Sequence, residues 1–108
     1  MYESILVPTD GSEGATRAIE QAIELANQYD AALHTISVIN TGDIKANLPE
    51  GDVPEKLEEE TQEAIEDVID QAEAADVDTI EAVIAEGIPY RAILEYVDEY
   101  DIDLVVMG

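Results

Sequence analysis

The sequence predicts an α/β fold in which a parallel, doubly wound sheet carries helices on both faces. Short runs rich in Ile, Val and Leu alternate with stretches whose apolar residues recur at a period near 3.6, in the order β-α-β-α-β-α-β with no internal repeat. The apolar runs are near-continuous rather than alternating, as strands buried on both faces require. A chain of 108 residues with 46% apolar side chains suits one domain around one packed core.

Ser4-Ile5-Leu6-Val7-Pro8 reads as the first strand, ending in the turn and cap residues Thr9-Asp10-Gly11-Ser12. From Glu13 to about Gln28, Ala15, Ala18, Ile19, Ala22, Ile23, Leu25 and Ala26 recur at helical spacing. Ala32 to Ile39 is β-branched-rich and reads as the second strand. A loop from Asn40 to about Asp52 follows, and Pro54 suits the first turn of a helix. Between Glu55 and Ala75, Leu57, Thr61, Ala64, Ile65, Val68 and Ala72 form one stripe, opposite a face of Glu and Asp. Asp78 to Ala85 reads as the third strand and Glu86-Gly87-Ile88 as a turn. Pro89 opens a third helix to about Tyr100, and Ile102 to Met107 reads as the fourth strand.

Strands joined by helical crossovers run parallel, and right-handed crossovers wind the sheet twice. Ligands of such sheets bind beyond the carboxyl ends of the strands. That rule directs attention to Pro8–Ser12, Val38–Thr41, Ala85–Gly87 and Met107–Gly108.

The charge balance excludes several functions. Against 27 acidic side chains stand four cations, Arg17, Lys45, Lys56 and Arg91, giving a formal charge of −23. Four scattered cations make no stripe for nucleic acid, and anionic membranes are disfavoured for the same reason. No apolar run approaches the ~20 residues of a bilayer span, and no signal peptide is visible. The absence of Cys excludes thiolate metal sites and thiol catalysis. A cytoplasmic setting is expected. The acids are spread over every predicted helix, which points to adaptation to molar salt: at ~1 M the Debye length is about 3 Å and self-repulsion is largely screened.

Other doubly wound folds fit poorly. Gly11 and Gly14 supply only part of a dinucleotide-binding glycine pattern, and no Gly-Lys-Ser/Thr phosphate loop occurs. A receiver domain would need an acidic pair after the first strand, and a flavodoxin a less acidic loop than Asp10-Gly11-Ser12-Glu13. The remaining match lies in Ile5-Leu6-Val7-Pro8-Thr9-Asp10-Gly11-Ser12, Leu33-His34-Thr35-Ile36-Ser37-Val38-Ile39, Glu86-Gly87-Ile88-Pro89 with Ile93, and Asp103-Leu104-Val105-Val106-Met107-Gly108. In this order and spacing the chain resembles the universal stress protein family.

The resemblance implies a three-layer, Rossmann-like sheet of order 3-2-1-4 without the family's fifth strand, here as one domain over residues 1–108. It implies an adenine nucleotide, ATP with Mg²⁺, as ligand. Pro8, Thr9 and Asp10 would lie against the adenosine, with the Asp10 side chain near the ribose, and the backbone at Val38 would meet the adenine edge. Met107 and Gly108 would begin a phosphate loop of pattern Gly-x2-Gly-x9-Gly-Ser/Thr, whose glycines let backbone N–H groups close on phosphates. The sequence stops at the first glycine, so the expected protein is ~30–40 residues longer, one more αβ unit. The full-length protein is expected to form a homodimer through the missing strand.

Each candidate has a plainer alternative. Asp10 and Ser12 also suit helix capping, and Gly11 backbone geometry alone. His34 lies early in its strand and is expected to be structural. Glu58-Glu59-Glu60 point about 100° apart on a helix and cannot converge on one cation. Tyr90, Tyr96 and Tyr100 are expected against the sheet or at its edge. No nucleophile is paired with a base, so hydrolysis is expected to be slow or absent. The rival reading is a dimerisation or partner-docking module without nucleotide; a weaker one is an adenylating enzyme.

Overall fold

A computed structural model of the chain describes residues 2–11, 13–40 and 55–107. Ser12, Thr41, Lys45, Gly108 and the loop expected up to Asp52, with Pro54, lie outside the described residues. The element order is β1 (Ser4–Pro8), α1 (Glu13–Tyr29), β2 (Ala32–Asn40), α2 (Glu55–Ala74), β3 (Ile80–Gly87), α3 (Pro89–Glu99) and β4 (Leu104–Val105). The four strands form one sheet of order β3-β2-β1-β4, and every neighbouring pair is parallel. The predicted fold class and strand order are those of the structure.

Strand alternation sends neighbouring side chains to opposite faces. Ile5, Val7 and Leu33, all fully buried, pack with Ala18, Ala22 and Ala26 of α1 and Val68 and Ala72 of α2. The spacing of four in Ala18-Ala22-Ala26 makes a ridge without bulk, so α1 can lie close on the sheet. The other face is thinner: Leu6 and Ile36 meet Tyr96 of α3, with Val38, Ile93, Val97 and Val105 around them.

Three boundaries differ from the sequence reading. β3 begins at Ile80, and Glu86-Gly87, expected as a turn, is strand that pairs with Ile39 and Asn40. β4 is short because it has a single partner, β1, across Ile5 and Leu6, although Asp103 N–H and Val106 N–H still donate to the Ser4 and Leu6 carbonyls at 2.9 Å. Burial on both faces also fails for β3. As the outer strand it leaves Val83 and Ile84 each 37% exposed.

The three helices stop in one way. Ala31, Val77 and Ile102 donate N–H bonds to the carbonyls of Ala26, Ala72 and Val97, each five residues back. The residue before each donor, Asp30, Asp76 or Asp101, has a positive φ of 53°, 63° or 50°. These are Schellman closures with Asp where Gly is usual.

Asp103 ties the amino end of β1 to β4. Its carboxylate accepts N–H bonds from Glu3 at 2.9 Å and Ser4 at 3.0 Å. These bonds hold its carboxyl below the usual carboxylate value. A depressed folded-state value contributes stability above the unfolded value, lost as pH falls through the folded one. Asp103→Ala is therefore expected to lower the melting temperature at neutral pH, with the deficit shrinking once acid protonates the wild-type carboxyl. Thermal melts of both proteins across the acid range check this.

Candidate functional site

β1 ends at Pro8, and the chain must turn sharply to enter α1. Thr9 is buried, and its N–H donates to the Ile36 carbonyl at 2.9 Å, which extends the ladder one residue past the strand. The Gly11 N–H donates back to Thr9 Oγ1 at 3.3 Å. Gly11 has φ +80°, a conformation that L side chains rarely adopt, so glycine makes this turn without strain. Asp10 is consequently presented on the exposed rim of the sheet.

Beside this turn lies a cleft of about 250 Å³ lined by Pro8, Thr9, Asp10, Ala15, Ile36, Val38, Pro89, Ile93 and Met107. Five of the six residues singled out in the sequence, Pro8, Thr9, Asp10, Val38 and Met107, thus come together from the ends of three strands. The sixth, Gly108, lies outside the described residues. The cleft opens where β1, whose chain leaves toward one neighbour, meets β4 on its other side; this reversal of strand order leaves a crevice at the carboxyl rim.

The remaining lining residues have legible causes. Ile36 precedes Val38 by two positions and shares its face of β2. Pro89 is the first residue of α3, where its missing N–H costs nothing, and Ile93 sits one turn later. Chemically the cleft is an apolar slot with a single carboxylate, that of Asp10, at its mouth. Among the described residues no group of three or more His, Cys, Asp or Glu is arranged to hold a metal ion. None of their helices is long and apolar enough to cross a membrane.

His34 stands away from this rim, level with Leu6 and Glu81 in the middle of the sheet. Its Nδ1 lies 2.7 Å from the Tyr96 hydroxyl, and the Tyr100 ring stacks on Tyr96 at a centroid distance of 4.4 Å. Burial lowers the imidazole from its ordinary value, with Glu81 opposing. Burial, then Tyr100, Glu81 and Glu99, push Tyr96 up to about 12. His34 is therefore neutral at pH 7, and the fold loses stability as pH drops below the ordinary histidine value near ~6.5. Tyr96 packs against the sheet as expected, whereas Tyr100 is 49% and Tyr90 60% exposed, the Tyr90 hydroxyl accepting from Arg91 Nε at 3.3 Å.

Comparison with known proteins follows this geometry. The model of the universal stress protein family matches residues 1–108. A universal stress protein of Methanocaldococcus jannaschii is 35% identical over 111 residues, an alignment covering 100% of this chain and 65% of that protein. The chain thus spans about two thirds of that relative's length. A solved structure from the universal stress protein family of Burkholderia pseudomallei is 25% identical, with a TM-score of 0.83, covering 99% of this chain and 81% of that one. A universal stress protein crystallised in complex with cAMP is 27% identical, with a TM-score of 0.72 and coverage of 97% of this chain and 72% of that one. Sequence, strand order and matched relatives agree, and the chain belongs to the universal stress protein family.

Proposed function

We propose that the protein is a stress-response regulator that binds an adenine nucleotide, ATP, at the carboxyl ends of its parallel strands. The observation that carries this reading is the convergence of Pro8, Thr9, Asp10, Val38 and Met107 on one apolar cleft with one carboxylate at its mouth. An apolar slot between Val38, Ile93 and Met107 suits the faces of a purine, and the strand-end backbone at Val38 suits its polar edge. The Asp10 carboxylate suits a vicinal pair of ribose hydroxyls, which it would accept as charge-assisted hydrogen bonds. A related structure holds cAMP, which shares the adenosine part. At about 250 Å³ the cleft falls just below the ~300 Å³ at which small-molecule sites usually begin, so it matches a nucleoside rather than a whole nucleotide. Bound Mg²⁺ would reduce the charge that the phosphates bring to an acidic protein.

The same reading includes homodimerisation of the full-length protein, a cytoplasmic setting and adaptation to high salt. The first two rest on the family likeness; the third rests on 27 acids against four bases.

Isothermal titration with ATP in high KCl is expected to give saturable binding. Asp10→Ala removes hydrogen bonds to a charged group, each about 1.5–3 kcal/mol, and is expected to weaken binding about 10–100-fold. No heat at about 1 mM ATP, in the range of weak specific binding, would reject the proposal.

A further inference from the structure

The described cations of this chain lie near the amino ends of its helices, although α1 and α2 also carry acids in their first turns, Glu13, Glu55 and Glu58. Arg17, Lys56 and Arg91 are the fifth, second and third residues of α1, α2 and α3, and no helix has a basic residue in its last turn. Each of these helices begins at the carboxyl rim of the sheet, because each follows a strand of a parallel sheet. At the opposite pole Asp30, Asp76 and Asp101 occupy the closures of the same helices. The helix macrodipole favours the reverse placement, anions at amino ends and cations at carboxyl ends. The dipole does not favour these positions, and each cation has an acid one turn away on its own helix, Glu13 for Arg17, Glu60 for Lys56 and Glu95 for Arg91.

One of the three cations lies beside the nucleoside-sized cleft. A second cleft of about 490 Å³ is lined by Glu13, Gly14, Arg17, Ala18, Gln21 and Met107. Met107 lines both clefts, so the two adjoin there. Arg17 is the basic residue of this pair of clefts. The first cleft is apolar and small; the second is larger, more polar and carries the guanidinium.

Resting on the nucleotide reading above, we propose that Arg17 is the phosphate-reading residue: the phosphate chain of the bound nucleotide passes Met107 into the second cleft and meets the guanidinium. The planar fork of Arg bonds two phosphate oxygens at once, which an ammonium does not. Arg17 thereby sets a preference for nucleotides with a phosphate chain over the bare nucleoside. Glu13 lines the same cleft with the opposite sign and opposes the same phosphates.

The test is calorimetric titration of the protein with adenosine, AMP and ATP at one fixed salt concentration, for wild type, Arg17→Gln, Arg17→Lys and Glu13→Gln. Wild type is expected to bind ATP more tightly than adenosine. Arg17→Gln is expected to weaken ATP about 10-fold more than adenosine, the value of one charge-assisted bond. Arg17→Lys is expected to fall between the two, and Glu13→Gln to tighten ATP. Equal wild-type affinities for ATP and adenosine overturn the proposal and leave the nucleotide reading standing, as does an Arg17→Gln effect equal on both ligands. Failure of wild type to bind any of the three overturns both. The wild-type comparison requires no variant to fold.

Discussion

Raising KCl from about 0.1 M to about 2 M is expected to raise the melting temperature by about 10 °C, as repulsion now acting across a ~10 Å Debye length is screened to within a few ångströms. The reason is concentrated on α2. Its exposed face sets Glu55 against Glu59, Glu59 against Glu63, Glu63 against Asp67 and Glu66 against Asp70, each one turn apart. Like-charge pairs at this spacing cost about 0.2–0.5 kcal/mol each, so together they cost roughly 1–2 kcal/mol before any longer-range term. In a domain of this size each kcal/mol moves the midpoint by about 4–8 °C. Differential scanning calorimetry at both salt concentrations measures the shift. A midpoint indifferent to salt would contradict salt adaptation.

Leu33→Ala is expected to have the largest effect on stability of any single change, about 3–5 kcal/mol. Leu33 is fully buried on β2, paired with Ile5 of β1 and Ile80 of β3, and sits in the thicker core under α1 and α2. Its neighbour Ile5 lies on β1, which is held by ladder bonds on both sides, so the cavity collapses little and the cost lies at the upper end of the Leu→Ala range. Total stabilities of about 5–15 kcal/mol leave little after such a loss. The variant is therefore expected to fold in high KCl and to be largely unfolded in dilute buffer. Circular dichroism during a salt titration reads this directly; a variant folded in dilute buffer would show that the core or the repulsion has been overvalued.

Much of the architecture was legible because burial and periodicity act locally. The run Ser4–Pro8 is β1 to the residue, and the alanine and isoleucine spacing of α1 gave its buried face. The misreadings have physical causes. Glu86-Gly87 looked like a turn because glycine usually breaks strands, yet Asn40 is long enough along β2 to pair with it. The exposure of Val83 and Ile84 depends on the position of β3 at the edge, which no property of their own residues encodes. At the site, the strand-turn-helix context pointed to Pro8–Ser12, and the family resemblance singled out Asp10 within that turn. Ile36 was not legible, since a strand residue can line a cleft or fill a core with equal propriety. The neighbourhood of Arg17 and Met107 was also hidden, because it is created by β1 and β4 lying side by side.

The three left-handed aspartates have an evolutionary corollary. Codons for Asp and Gly differ at one base, and glycine holds that backbone conformation without the steric penalty, about 1 kcal/mol per position, that a side chain incurs. Asp30, Asp76 and Asp101 are thus a dormant reserve of robustness, each one point mutation from release. At low salt each such step would gain twice, shedding a negative charge and relaxing the backbone together.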